Sequence, residues 1–372
     1  MTQERVREWD QSRRSTDRSH GGPATGALTA TSTRRASRRK VDAERWLLTE
    51  ENAALAGSWV DPQAGTVLLG EYAESWLEAR QGLAPKTVAT YEALVRSHII
   101  PAVGSRPLRA VSTEEIRSWQ AGLLADGLSA ATVRQTARLL RSILGQAVDD
   151  GRLARNAAAK VKQPSVRPRR QLFLTAAELG DLADECGEYG PLVWFLGWSG
   201  LRFGEAVALR ARRVDQKRRR VRVEEAATEV GGRLVFGPPK TYESRTVILP
   251  QFVVDPLAPL LEDRDTDDLV FTAARGGPVR HGNFRNRVFS PAAERIGKPD
   301  LVPHDLRDTA ASLMIASGAS IKAVQRALGH ASAKMTLDVY GSLFEEDLER
   351  LADAMEERYA SGEDANVVRL PR

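Results

Sequence analysis

Six polar residues in the second half of the chain have types that could work together on one anion: Arg202, Lys240, His304, Arg307, His330 and Tyr340. Two guanidiniums offer paired donors that stay charged at any relevant pH, and two imidazoles can donate or relay protons. An ammonium can supply a proton, and a phenol becomes a nucleophile once its own proton is removed. Each residue also has an ordinary alternative. Arg202 follows Gly200 at a helix start, where an arginine commonly pairs with a carboxylate such as Glu205. His304 and Arg307 stand three apart, a spacing that turns both to one side of a helix, toward an anion or toward solvent. His330 follows Leu328-Gly329, where the glycine ends a helix over 321–328, so the imidazole sits at a C-terminus that favours positive charge. Tyr340 lies in the amphipathic stretch Met335-Thr336-Leu337-Asp338-Val339-Tyr340, where a tyrosine is far more often core packing than a nucleophile.

Order and surroundings separate these readings. Gly200-Leu201-Arg202-Phe203-Gly204-Glu205, then Lys240-Thr241, then His304-Asp305-Leu306-Arg307, then Leu328-Gly329-His330 and finally Tyr340 resemble the signature of the tyrosine recombinases. The resemblance runs from about Ala43 to Leu348. It includes Ala84-Pro85-Lys86-Thr87 with Tyr91, Ile100-Pro101 with Gly104, and Leu128-Ser129 with Thr132-Val133-Arg134, and it is to actinobacterial phage-type integrases. Three positions depart from the pattern: Asp308 stands where many relatives have histidine, Ser342 where histidine often follows the tyrosine, and Ala157 where proline is common.

The resemblance implies a DNA strand transesterification. Arg202 and Arg307 would take the non-bridging oxygens of the scissile phosphate, with His304 and His330 adding donors or moving protons. Tyr340 would attack. Its ordinary pKa near 10 makes ionisation at neutral pH cost about 4 kcal/mol unless a base or cations assist, and Arg307, His304 and His330 are the candidates. Lys240, in a turn between two strands, would protonate the departing 5′ oxygen. The product would be a 3′-phosphotyrosine, which keeps the bond energy, so neither ATP nor any other cofactor is implied, and no metal.

These side chains need a scaffold, and the chain is long enough for two domains. Its net charge of +5 is gathered into segments, which suits a polyanionic partner, here double-stranded DNA. One cysteine, Cys186, excludes an internal disulfide framework, and five scattered histidines form no metal-ligand spacing. The most apolar run, 192–201, is too short to span a membrane, so a cytoplasmic protein acting on the nucleoid is expected, with no membrane partner.

Residues 1–40 read as a basic flexible tail ending in Arg38-Arg39-Lys40, and 41–65 as a connector built on a helix from Asp42 to Leu55, the remnant of an arm-binding region. Between 66 and 160, apolar residues at helical spacing (Leu69, Tyr72, Trp76; Val88, Tyr91, Leu94; Ile116, Trp119, Leu123; Val133, Leu140, Ile143, Leu144) predict four amphipathic helices, with Thr87, Ser112 or Thr113, and Ser129 as caps. By resemblance this is a core-binding domain. A basic linker, 161–170, joins it to a catalytic domain, 171–345, followed by a C-terminal helix and tail, 346–372. Short apolar or β-branched runs at 221–225, 234–236 and 246–249 predict a three-stranded antiparallel meander. The fold class is therefore mostly α, a helical domain plus a mixed α+β domain with one small sheet. Candidate DNA contacts are Arg38, Arg39, Lys40, Lys86, Thr87, Thr132, Arg134, Arg138, Lys162 and Arg167.

The resemblance further implies four protomers on two DNA partners, with directionality or DNA-bending proteins as accessory partners. The stripe Leu343, Phe344, Leu348, Leu351 and Met355 would dock on a neighbouring protomer. Two rival readings exist: a DNA-binding accessory factor that does not cut, and a relaxing enzyme of the type IB topoisomerase kind. The complete set of six counts against the first and the integrase-like helical domain against the second.

Overall fold

The computed structural model describes residues 63–361 apart from 81, 167–168, 170, 240–243 and 345–346. The tail 1–40, nearly all of the connector, Arg38, Arg39, Lys40, Arg167 and Lys240 lie outside the described residues. Two compact units are present: one takes in the described residues up to Glu74 with His98–Gln163, the other Ser75–Ser97 with those from Pro164 onward. Among the described residues no helix is long and apolar enough to cross a membrane.

Five helices come first: α1 (Leu69–Glu78), α2 (Pro85–Leu94), α3 (Ile100–Val103), α4 (Thr113–Ala125) and α5 (Ala130–Asp149). A π-helical stretch, Val95–Ile99, leads from α2 to α3. Ser112 and Ser129 cap α4 and α5 by accepting from the amides of Glu115 and Thr132, each at 3.1 Å. Thr87 is not a cap. The helix starts two residues earlier, at Pro85, whose fixed φ and missing N–H suit the first helical position. Along α5, Val133, Ala137, Leu140, Ile143, Leu144 and Ala147 are buried at helical spacing, and burying each of the large ones contributes about 1.5–3 kcal/mol.

The second unit is built on α6 (Ala176–Glu185), α7 (Gly190–Ser199), α8 (Phe203–Val207), α9 (Gln251–Val254), α10 (Ala258–Leu261), α11 (His281–Phe284), α12 (Ser290–Arg295), α13 (Asp305–Ala316), α14 (Ile321–Leu328), α15 (Ala333–Tyr340) and α16 (Asp347–Ser361). Thr175 and Glu178 form a reciprocal capping box at the start of α6. The apolar α7 is the centre of the unit. It packs on α6 and α13, burying Leu192, Val193, Phe195 and Leu196, and Gly197 leaves room for the Leu179 side chain.

Five strands lie between α8 and α9. The three-stranded antiparallel sheet has the order β1 (Val214–Asp215), β2 (Arg220–Val223), β5 (Arg245–Ile248). Its membership differs from the predicted meander. Residues 234–236 belong instead to a separate hairpin of β3 (Ala226–Val230) and β4 (Arg233–Gly237), with Val214–Asp215 as the third strand of the sheet. Gly231-Gly232, at φ 55° and 75°, closes β3 and β4 into a tight turn, so those strands satisfy each other and leave β2 free to pair with β5.

Candidate active site

Arg307 is the hub of the site. It lies on α13, 4% exposed, and donates from Nη1 to the Gly200 carbonyl at 2.5 Å and from Nη2 to the Leu328 carbonyl at 2.7 Å. Gly200 ends α7 and Leu328 is the last residue of α14, so the guanidinium sits where two helix C-termini direct unpaired carbonyls. Both helices stop on a left-handed glycine, Gly200 at φ 66° and Gly329 at φ 67°. The residues just after these stops are Arg202 and His330. One arginine thereby ties together the turns that carry two other candidate residues.

Arg202 opens α8 and pairs, as its neighbour suggested, with Glu205: Nη1 to Oε1 is 2.9 Å, and Glu205 Oε2 accepts from the Arg202 amide at 3.0 Å. Glu205 is almost fully buried and also takes a bidentate pair from Arg245, at 3.0 and 2.6 Å. Burial pushes the Glu205 carboxyl upward, but the two guanidiniums outweigh it and hold its pKa below the ordinary carboxylate value. Arg245 Nε donates to the Ala327 carbonyl at 3.2 Å, which fastens β5 to the end of α14. Sequence reasoning missed Arg245 as a site residue. The signal was there: Arg245 and Val247 fall on one face of β5, and Val247 is buried, so a charge occupies an inward position.

His330 is half-buried, and its Nδ1 shares a hydrogen with Thr336 Oγ1 at 3.0 Å. Burial lowers its pKa, and repulsion from Arg307, Arg202 and Arg245 lowers it further, to about 4. It is a neutral imidazole at pH 7, not a charged helix cap. The same environment lowers the Arg307 pKa to about 10, through burial first and then the nearby Arg202. Three guanidiniums and an imidazole from four segments thus feel one another's charge in a small volume.

Tyr340 ends α15 and is 1% exposed. Its ring packs with Ala311, Ile315, Val324 and Leu328 and lies parallel to the His330 ring, 6.4 Å between centroids. The hydroxyl is not in apolar surroundings: it donates to Asp308 Oδ1 at 2.6 Å. Burial, and then the Asp308 carboxylate, push the phenol pKa well above its ordinary value, against a smaller opposing effect of Arg307.

The structure therefore gathers Arg202, Arg307, His330 and Tyr340. His304 stands at the N-cap of α13, exposed, and takes no part in the hydrogen bonds of the cluster. Lys240 is outside the described residues. Of the candidate DNA contacts, Lys86, Arg138 and Lys162 are exposed, while Thr87, Thr132 and Arg134 are partly buried. The Thr132 hydroxyl is 2.8 Å from that of Ser129, and Arg134 Nε has no hydrogen-bond partner among the described residues. Among those residues no three His, Cys, Asp or Glu side chains are grouped so as to hold a metal ion.

A helical bundle, a small antiparallel sheet and an arginine–histidine–tyrosine cluster are the features set beside known proteins. Residues 175–358 match the phage integrase family, and residues 68–124 match the phage integrase N-terminal SAM-like domain. The chain is 30% identical to the integrase of Mycobacterium phage D29 over 80% of this chain and 83% of that protein. It is 28% identical to the tyrosine recombinase XerC of Corynebacterium efficiens over 59% of this chain and 70% of that one. The solved structure of the Tn1549 transposon integrase in complex with transposon right-end DNA shares its fold, with a TM-score of 0.66 and 21% identity over 77% of this chain and 99% of that one. The chain belongs to the phage integrase family and is a tyrosine site-specific recombinase.

Proposed function

We propose that this recombinase cuts and rejoins duplex DNA at attachment sites through a 3′-phosphotyrosine on Tyr340, and that it integrates and excises a prophage or integrative element. The observation that supports the reading best is the convergence of Arg202, Arg307 and His330 beside the Tyr340 ring. Arg202 and Arg307 take the non-bridging oxygens, and neutral His330 donates from Nε2 while Thr336 engages Nδ1. His304, one turn from Arg307, adds a donor when DNA lies over the N-terminus of α13. Lys240 protonates the 5′ oxygen.

Each protomer supplies one nucleophile, and exchange between two duplexes opens four strands, so four protomers act together. The exposed Lys86, Arg138 and Lys162 contact phosphates, with Thr87, Thr132, Arg134 and the basic residues of the tail and linker, and accessory proteins set direction. The site of action is the cytoplasmic nucleoid.

A nicked suicide duplex carrying a candidate attachment site tests the reading. Wild-type protein forms a covalent adduct on denaturing gels, and Tyr340→Phe forms none while binding the duplex equally well. Binding without any adduct would make the protein an accessory factor, and adduct with relaxation at every sequence would make it topoisomerase-like.

A further inference from the structure

Three carboxylates are buried among the described residues: Glu205, Asp305 and Asp308. Two are neutralised by arginine. Glu205 holds Arg202 and Arg245, and Asp305 holds Arg169 through two bonds of 3.0 and 2.8 Å while also accepting from the Val302 amide. Among the described residues Asp308 has no ion-pair partner. Its one hydrogen-bond partner among the described residues is the Tyr340 hydroxyl. An uncompensated carboxylate is costly to bury, so its placement against the phenol calls for a reason beyond packing.

We propose that Asp308 is the general base that receives the proton of Tyr340 during strand cleavage. This rests on Tyr340 being the nucleophile. Asp308 follows Arg307 on α13, and the Arg307 guanidinium and the Tyr340 phenol are near enough to feel one another's charge, so the carboxylate that holds the phenol belongs to the same cluster. With the ring 1% exposed, the cover over it must open for DNA to arrive. In the step, the Tyr340 Oη–H proton passes to Asp308 Oδ1 as the Oη–P bond forms. The P–O5′ bond breaks, and the departing oxygen takes its proton from the donor proposed above, Lys240.

The alternatives are worse placed. His330 has Nδ1 engaged with Thr336 and meets Tyr340 ring to ring, 6.4 Å between centroids, whereas Asp308 holds the phenol hydroxyl itself. His304 is exposed and outside the cluster. The ground state of the phenol stays protonated, because burial and the carboxylate both raise its pKa. General-base assistance does not need prior ionisation, since the proton becomes acidic only as the oxygen bonds to phosphorus.

The experiment is single-turnover adduct formation on a nicked suicide duplex. Asp308→Asn should lower the rate about 10²- to 10⁴-fold with duplex binding unchanged, and formate should restore part of the rate to Asp308→Ala. A 5′-bridging phosphorothiolate, whose leaving group needs no proton, should rescue Lys240→Ala but not Asp308→Asn. Wild-type protein should cleave at a nearly constant rate between about pH 6 and 8.5, whereas an unassisted phenol would gain about tenfold per pH unit. Of the other charged groups around the pair, Arg307 is lowered only to about 10, His330 to about 4 and Glu205 below the ordinary carboxylate value, all outside that window, and Arg202 and Arg245 are ion-paired with Glu205. Asp308→Asn cleaving as fast as wild type or faster, or rescued by the thiolate leaving group, would overturn the proposal, as would a tenfold-per-unit wild-type profile if the variants do not fold. Adduct surviving in Tyr340→Phe would instead overturn the nucleophile assignment, a separate result.

Discussion

Replacing Glu205 with glutamine removes one charge and leaves the shape, and the structure says how much that should cost. The side chain is 1% exposed and accepts four hydrogen bonds: one from the Arg202 amide and one from its guanidinium, and two from Arg245. An amide can accept at one end only, so its NH₂ would face a guanidinium N–H. Three guanidiniums, Arg202, Arg245 and Arg307, would share the pocket without their counter-charge. Breaking a buried pair from one side typically costs about 3–5 kcal/mol. Arg245 is 12% exposed and contributes nearly in full, whereas Arg202 at 26% is partly relieved by water, which favours the lower half of that range, about 3–4 kcal/mol. Urea unfolding read by hydrogen exchange of the α7 and α8 peptides isolates this unit. Combining Glu205→Gln with Arg245→Met should cost about 2–3 kcal/mol less than the sum of the single changes, because the second change removes the charge that the first left stranded. A single-variant cost below about 1 kcal/mol, or simple additivity, would refute the reasoning.

Three other outcomes follow from the same geometry. Protonating His330 is disfavoured in the fold, so stability should be complete above the ordinary histidine value of 6.5 and fall as pH drops toward 4; half-exposure reduces the effect to about 1–2 kcal/mol, and urea midpoints at pH 4.5 and 7 should shift less for His330→Asn than for wild type. Gly200→Ala should cost about 2–4 kcal/mol in thermal melts, since φ is 66° and the new Cβ would lie 2.6 Å from Leu328 Cδ2, and cleavage should fall further because Arg202 follows two residues later. Duplex affinity should decline linearly in a log–log plot against salt, and Lys86→Ala or Arg138→Ala should each reduce the slope by about one; an unchanged slope would remove that residue from the phosphate contacts.

What the chain order determined by itself is local. Helical periodicity marked α1, α2, α4 and α5, serines marked the caps of α4 and α5, and a glycine marked the end of α14. The family resemblance named Arg202, Lys240, His304, Arg307, His330 and Tyr340 as one set, four of which the structure brings together, and local spacing named Glu205 as the partner of Arg202. The pairing of β2 with β5 across an inserted hairpin was not legible, because both segments have the alternation of a strand and only packing chooses between them.

Tertiary structure alone decided where charges and protons rest. The Tyr340 hydroxyl meets a carboxylate 32 residues away, Glu205 a second arginine 40 away, and Arg245 a carbonyl 82 away. No local spacing encodes such partners. Burial first and then three arginines lower the His330 pKa, an effect set by the summed positions of distant groups. Periodicity reaches one or two turns along a helix, whereas hydrogen bonds and Coulomb interactions depend on distance through space, which the packed core of α7, α13 and α14 establishes.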